Sequence, residues 1–140
     1  MGESQLTSGY SGKPLASKMG IKAGQRILIM NAPEGYNATL GVLPDGVELV
    51  DKLDGLFDLI QYFVTERAAY ERDFPVLRDH LVTAGMMWVS WPKKAAKMVT
   101  DLDENFIREF GLANGLVDVK VIAVDERWSG LKFVRRLKDR

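Results

Sequence analysis

Two lysines stand where an apolar, aromatic run of the sequence ends. Lys93 and Lys94 follow residues 86–91 directly after Pro92, which cannot donate to a sheet ladder. In α/β proteins, ligands bind outside the carboxyl ends of strands, so ammonium groups at this point would attract a phosphate or a carboxylate. Lysine clusters are equally typical of solvated loops, and both interpretations stay open.

Further side chains with binding chemistry stand at the ends of other apolar runs. Asn31, Gly35 and Tyr36 follow the run 26–30, and Asp125 and Trp128 occupy a turn near the chain's end. Lysines would supply positive charge, indole rings would supply a stacking surface, and an amide would orient the ligand. We therefore predict a site for a small anionic ligand with a flat apolar part, built from Asn31, Gly35, Tyr36, Trp91, Lys93, Lys94, Asp125, Trp128 and Lys132. The alternative is that these side chains only cap the sheet and pack its loops.

Several kinds of catalytic site are excluded or disfavoured by the residues present. The sequence has no cysteine and one histidine, His80, which excludes a thiolate site and a multi-histidine metal site. Ser129 lacks a nucleophile-elbow pattern and a nearby histidine, which disfavours hydrolase chemistry. Asp125 and Glu126 could act as acid and base, but adjacent carboxylates at a turn often serve solubility alone. We predict no metal site and name no catalytic residue.

Length and composition fit one ordinary globular domain. The chain has 140 residues, of which 46% are hydrophobic and 27% charged, and 19 basic residues balance 19 acidic ones. Zero net charge makes nucleic-acid binding through bulk charge unlikely and leaves a local basic patch open. No apolar run reaches membrane-span length and no signal peptide is visible, so we expect a cytoplasmic protein. An exposed sheet edge would make a homo-oligomer possible.

Strands and helices are predicted to alternate along most of the chain. Continuous apolar runs predict inner strands at 26–30, 56–63 and 86–91, the last entered through a turn at Gly85. Residues 47–50 predict an edge strand, and 116–124 and 131–134 an antiparallel hairpin turned by residues 126–130. Helices are predicted at 15–19, at 39–43, from Glu66 to about Thr83 with a break or restart at Pro75, and along Leu102, Phe106, Phe110 and Ala113.

This order predicts a single α/β domain over residues 13–140, after a flexible lead-in at 1–12 that is rich in Ser, Gly and Gln. The expected fold is a shortened Rossmann-like domain with a mostly parallel sheet and a carboxyl-terminal antiparallel hairpin. Such a closing hairpin is the ending found in Rossmann-like methyltransferases.

Four motifs carry a closer resemblance. Tyr10-Ser11-Gly12, NAPEGY at 31–36, WVSWPKK at 88–94 and VDERWSGLKFV at 124–134 resemble a bacterial domain-of-unknown-function family of short methyltransferase-like proteins. The similarity runs from about Tyr10 to the end of the chain. It implies the fold and leaves activity, substrate and catalytic residues open.

The loop after the first strand bears on whether the protein binds a methyl donor. A site for S-adenosylmethionine needs close backbone approach after the first strand, and residues 31–37 offer only Gly35, while Pro33 removes a donor. Glu48 and Asp51 stand near the place of an acid that would bind the donor's ribose. We therefore favour a binding or regulatory module on a degenerate scaffold, with S-adenosylmethionine possible but disfavoured. The alternative is a small enzyme, either an S-adenosylmethionine-dependent methyltransferase or one acting on a small anionic metabolite.

Overall fold

One six-stranded sheet organises the protein, seen here in a computed structural model that describes residues 13–140. The predicted lead-in and the motif at residues 10–12 lie outside the described residues. The strands are β1 (Arg26–Met30), β2 (Glu48–Val50), β3 (Phe57–Phe63), β4 (Leu81–Pro92), β5 (Leu116–Ala123) and β6 (Trp128–Arg135). The helices are α1 (Leu15–Met19), α2 (Tyr36–Leu40), α3 (Arg67–Asp79) and α4 (Glu104–Ala113).

The sheet has the order β2-β1-β3-β4-β6-β5. Its first four strands are parallel, whereas β6 runs antiparallel to both β4 and β5. The predicted Rossmann-like α/β fold with a closing hairpin is therefore confirmed, as are β1, β3 and β4 as inner strands. These three strands are apolar on both faces because helices cover both sides of the sheet.

The two faces of the sheet carry different helices. On the face that we call the α3/α4 face, Tyr70, Phe74 and Phe110 pack against Phe133 of β6. The opposite face, the α1/α2 face, holds a second cluster that includes Met19, Leu40, Ile27, Phe63 and Trp88. Alternation along β4 places Trp88 and Ser90 towards α1 and α2, and Met87, Val89 and Trp91 towards α3 and α4.

The crossover from β2 to β3 has no helix and is fastened by one arginine. A guanidinium nitrogen of Arg26 donates to the carbonyl oxygens of Asp54 and Leu56 at 2.8 and 2.9 Å. The same guanidinium lies 4.4 Å from the ring centre of Phe57 and pairs with Glu48. Six residues, 51–56, thereby replace the usual helical crossover of a parallel sheet.

The boundary between α3 and β4 differs from the prediction. Helix α3 runs through Pro75 without a break, because Phe74 and Leu77 on either side are buried and hold the backbone in place. Strand β4 begins at Leu81, so the expected helical residues up to Thr83 are strand and Gly85 is not a turn. A β-carbon at Gly85 would lie 2.8 Å from Leu81 Cδ1, so this glycine permits close packing inside an irregular stretch of the strand.

Two other predicted boundaries were also wrong. The helical turn expected at 39–43 lies at Tyr36–Leu40 and ends at Gly41, whose φ is 87°. Trp128, expected in the hairpin turn, already pairs with Pro92 as the first residue of β6, so the strand pairing extends further than predicted. Within residues 13–140, no helix has the length and apolar character needed to cross a membrane.

Candidate functional site

The carboxyl ends of β1, β2, β3 and β4 meet along one edge of the sheet, which we call the rim. The loop after β1, Asp51 after β2 and Lys93 after β4 all lie there because these strands are parallel. The hairpin turn between β5 and β6 reaches the same rim, where the Lys93 N–H donates to the Arg127 carbonyl at 2.8 Å.

One opening on the rim lies between the ends of β1 and β2. This β1–β2 cleft has a volume of about 610 Å³. One carboxylate, two amides and several aliphatic side chains form its wall. The lining residues are Ile29, Met30, Asn31, Ala32, Asn37, Leu49, Val50 and Asp51. The cleft thus combines apolar surface for a flat group with a few hydrogen-bonding groups that could orient it.

A second opening, the β3 cleft, lies where the strand order of the sheet reverses between β1 and β3. Its volume is about 250 Å³, and its lining is Asn31, Phe63, Val64, Thr65, Glu66, Ala69 and Trp128. The reversal point of an α/β sheet is the usual place of ligand binding. Asn31 belongs to both clefts and so stands between them.

Asn31 has an unusual backbone that shapes this boundary. Its φ is 62°, in the left-handed region that asparagine tolerates better than most residues. Its side-chain Nδ2 donates to the carbonyl oxygen of Phe63 at 3.2 Å, which ties the end of β1 to the end of β3. Gly35, with a φ of 84°, makes the next left-handed turn, and a β-carbon there would meet nothing within 4 Å.

A buried polar chain underlies the loop after β1. Gln61 Nε2 donates to Tyr36 Oη at 3.0 Å, and Ser90 Oγ donates to Gln61 Oε1 at 2.8 Å. Burial raises the pKa of Tyr36 to about 12; Asp125 adds to this effect and the Gln61 hydrogen bond opposes it. Sequence reasoning missed Gln61 and Ser90, although a polar residue inside an apolar strand is the signal that could have found them.

The hairpin residues are largely occupied by their own turn. Asp125 Oδ1 accepts from the backbone N–H groups of Arg127 and Trp128 at 2.8 and 2.9 Å, which leaves it as a turn-forming carboxylate. Trp128 lies on the α1/α2 face, edge-on to Phe63, whereas Trp91 belongs to the α3/α4 cluster. Both indoles are more than nine-tenths buried, and they do not face a common cleft.

The predicted lysines are spread rather than gathered. Lys93 is half-buried at the rim, and Lys94 is exposed at the start of a short 3₁₀ turn. Lys132 pairs across β4 with Trp88, well inside the sheet and away from the rim.

Of the predicted set, the β3 cleft brings together Asn31 and Trp128, and a depression of about 230 Å³ brings together Gly35 and Tyr36. Their ligand-binding roles stay predictions. Among residues 13–140, no group of three or more histidine, aspartate or glutamate residues is arranged to hold a metal ion.

Several solved structures of methyltransferases have a fold similar to that of this chain. A ribosomal protein L11 methylase from Lactobacillus delbrueckii subsp. bulgaricus is 17% identical with a TM-score of 0.54, over 87% of this chain and 75% of that one. Magnesium protoporphyrin IX methyltransferase from Synechocystis PCC 6803 with bound SAM is 10% identical with a TM-score of 0.58, over 87% and 74%.

The N-methyltransferase NodS from Bradyrhizobium japonicum WM9, in complex with S-adenosyl-L-homocysteine, is 13% identical with a TM-score of 0.58, over 86% of this chain and 82% of that one. At these identities the similarity establishes a methyltransferase-like Rossmann fold and no more. No model of a known protein family matches the sequence, and no curated protein matches it. The motif resemblance to short bacterial proteins stays a prediction.

Proposed function

We propose that the β1–β2 cleft binds S-adenosylmethionine and that the protein is a small S-adenosylmethionine-dependent methyltransferase. The observation that carries the proposal is the lining of this cleft, in which Asp51 follows β2 and Asn31 follows β1. Solved structures with this fold carry SAM or S-adenosyl-L-homocysteine, which supports the same ligand class here. This reverses the preference drawn from the sequence, where the binding module came first.

The chemistry of the lining fits the two halves of this cofactor. The Asp51 carboxylate would accept hydrogen bonds from ribose hydroxyls, and the amides of Asn31 and Asn37 would orient polar edges. Ile29 and Leu49 would pack against the flat adenine. When bound, the cofactor would supply an activated methyl group.

The objection from the glycine-poor loop is weaker in three dimensions. Asn31 adopts a left-handed backbone without being glycine, so the chain can turn sharply at the end of β1. Open space around Gly35 leaves room for a ligand to approach that part of the backbone. Pro33 still lacks an N–H, so fewer backbone donors are available here than in a glycine-rich loop.

Titration calorimetry with S-adenosylmethionine tests the proposal. We expect binding by the wild type and an affinity about 10- to 100-fold lower for Asp51→Asn, because hydrogen bonds to a charged group contribute about 1.5–3 kcal/mol. Asp45→Asn, an exposed aspartate in the turn before β2, is the matched control and should bind like the wild type. No binding heat from folded wild-type protein, or equal affinity in both variants, would overturn the assignment.

A non-catalytic binding or regulatory module is the second candidate. Its support is that the hairpin carboxylate Asp125 is engaged in its own turn, so the rim offers no free acid–base pair at that point. A thermal-shift panel of S-adenosylmethionine, S-adenosylhomocysteine, nucleotides and sugar phosphates separates the two, because a ligand of the native state raises apparent stability. Stabilisation by a nucleotide or sugar phosphate, with none by S-adenosylmethionine, would favour the module.

A further inference from the structure

One buried indole of the β3 cleft has a hydrogen-bond donor without an acceptor. Trp128 lines this cleft and is 7% exposed, and its Nε1–H has no acceptor among residues 13–140. The indole of Trp88, buried on the same face, instead donates to the Met19 carbonyl at 2.9 Å. The Trp91 N–H also lacks an acceptor, but Trp91 lines none of the described openings. Because an unpaired buried donor costs stability, a polar atom that enters the cleft and accepts this bond is favoured.

The other polar side chains of the cleft offer acceptors. Asn31 uses its Nδ2 on the Phe63 carbonyl, and its Oδ1 accepts from no donor within the described part of the chain. The Thr65 hydroxyl and the Glu66 carboxylate also make no hydrogen bond or ion pair within residues 13–140. A ligand that satisfies this set therefore brings donors for the acceptors and one acceptor oxygen for Trp128.

The charge of the cleft favours a cation. Among the described residues that line it, Glu66 alone is charged, and it is exposed. Arg67, the next residue, directs its guanidinium to Asp103. The pKa of Arg72 is raised first by its hydrogen bond to Asp73 and last by the charge of Glu66, so Asp73 is its main partner. A carboxylate in this position attracts an ammonium group and repels an anion, unlike the site for an anionic ligand that the sequence predicted.

The walls of the cleft are held in place by hydrogen bonds from two neighbouring elements. The Val64 N–H donates to the Ser90 carbonyl of β4 at 3.0 Å, and Thr100 Oγ1 donates to the Thr65 carbonyl at 2.5 Å. The cleft is therefore largely formed before a ligand enters. Its volume of about 250 Å³ lies below the range of about 300–1,000 Å³ that is usual for drug-sized ligands, so the occupant is small.

We propose that the β3 cleft binds the methyl acceptor and that this acceptor is a small amine carrying a hydroxyl group. Its ammonium group binds Glu66, its hydroxyl oxygen accepts from Trp128, and its apolar body packs against Phe63. The binding site depends on the β3 cleft alone, whereas the role as methyl acceptor rests on the proposed function. Because Asn31 lines both clefts, a methyl donor in the β1–β2 cleft lies next to this amine.

Transfer to this amine exchanges an S–C bond for an N–C bond. The bound ammonium first loses one proton to solvent, which reaches the cleft beside exposed Glu66. The lone pair of the neutral nitrogen then forms the bond to the methyl carbon, while the S–C bond breaks and its electron pair stays on sulfur. The nitrogen regains its positive charge in this step, and the Glu66 carboxylate stabilises that charge as it develops.

Nuclear magnetic resonance of the ¹⁵N-labelled protein tests the site, with tyramine, a phenolic amine, as the probe. We expect the indole N–H resonance of Trp128 to shift as tyramine is added, whereas that of Trp88, already bonded to Met19, keeps its position. Phenethylamine, which lacks the hydroxyl, should bind about fivefold more weakly. Hydroxyphenylpropionate, which has a carboxylate in place of the ammonium group, should not bind detectably.

Two variants and a matched control separate the contacts. Glu66→Gln should weaken tyramine binding about tenfold or more, since hydrogen bonds to charged groups are the stronger ones. Glu71→Gln, at an exposed glutamate of the same helix that lines no described opening, should bind like the wild type. Trp128→Phe should remove the preference for tyramine over phenethylamine; if it folds poorly, exposed Glu66 still decides the test. An unmoved Trp128 resonance, or equal tyramine affinity in the wild type and Glu66→Gln, would overturn the site.

Mass spectrometry of the products tests the acceptor role. With S-adenosylmethionine and tyramine, we expect N-methyltyramine from the wild type and from Glu71→Gln, and at least about tenfold less from Glu66→Gln. If calorimetry shows donor binding and the resonances show amine binding, but no methylated product forms, the acceptor role is wrong. If S-adenosylmethionine does not bind, the proposed function fails and the acceptor role fails with it, while the Trp128 resonance still decides the amine site.

Discussion

The two faces of the sheet differ in the helices that cover them and in the side chains that they bury. On the α3/α4 face, helices of 13 and 10 residues bury an aromatic cluster and carry most of the arginine ion pairs. On the α1/α2 face, two helices of five residues each cover a cluster beside which Gln61 and Ser90 are buried, and Lys120 and Lys132 stand opposite each other in the neighbouring hairpin.

This difference separates the face that stabilises the fold from the face where we expect binding. Buried polar groups and opposed like charges both lower stability unless they are compensated. Where such groups bring no evident structural gain, they indicate a functional site more often than a structural one. The α3/α4 face, where the two longer helices bury the aromatic cluster, acts as the scaffold, while the α1/α2 face holds buried Gln61 and Ser90 and the opposed Lys120 and Lys132.

The largest expected effect tests the scaffold. Phe74→Ala should lower the free energy of unfolding by about 3–5 kcal/mol, because its ring contacts Tyr70, Phe110 and Phe133 at centroid distances of 5.4 to 5.9 Å and the cavity cannot close. Urea denaturation measures the change. Leu40→Ala in α2 is the counterpart on the other face, with an expected loss of about 2 kcal/mol because a five-residue helix can shift inwards. A larger loss for Leu40→Ala would reverse the assignment of the scaffold face.

An intermediate effect tests the buried polar chain. Ser90→Ala should lower the free energy of unfolding by about 1–3 kcal/mol, because Gln61 Oε1 loses its donor while remaining buried. The double variant Gln61→Met/Ser90→Ala should recover part of that stability, since both polar partners are then replaced by apolar groups. Urea denaturation of the wild type, Gln61→Met, Ser90→Ala and the double variant gives the coupling energy. A double variant no more stable than Ser90→Ala would contradict the paired role.

The smallest effect compares charges on the two faces. Arg108→Gln should lower the free energy of unfolding by about 0.5 kcal/mol, because Arg108 pairs with Glu104 and Asp118 in partly exposed positions. Lys120→Gln should leave stability unchanged or raise it slightly, because it removes repulsion from Lys132. Thermal unfolding at low and high salt should show both differences shrinking as salt screens them. If Lys120→Gln lowers the free energy of unfolding as much as Arg108→Gln does, the proposed difference between the charges of the two faces is wrong.

The parts of the fold that sequence could predict are those fixed by local pattern. The apolar runs of β1, β3 and β4 are long enough to identify buried strands, and the alternating valines of β5 indicated its hairpin. The start of β4 could not be predicted in this way, since residues 81–85 fit a helix end or a strand equally well. Only pairing with β3, which places Gly85 against Leu81, decides between the two.

The position of the candidate site could be predicted from the sequence, whereas the residues that form it could be predicted only in part. Strand ends at Asn31 and Asp51 follow from the parallel order, so the rim could be expected. The faces of Trp91 and Trp128 depend on register, and a one-residue difference reverses each.

The outer wall of the β1–β2 cleft is also the part of the sheet with the fewest restraints. Strand β2 has three residues, pairs with β1 alone and is followed by a crossover that Arg26 holds from one side. Such an edge opens in local fluctuations that leave the rest of the molecule folded. The affinity of any ligand in this cleft is then reduced by the fraction of time the wall spends open, and a bound ligand in turn slows hydrogen exchange at β2.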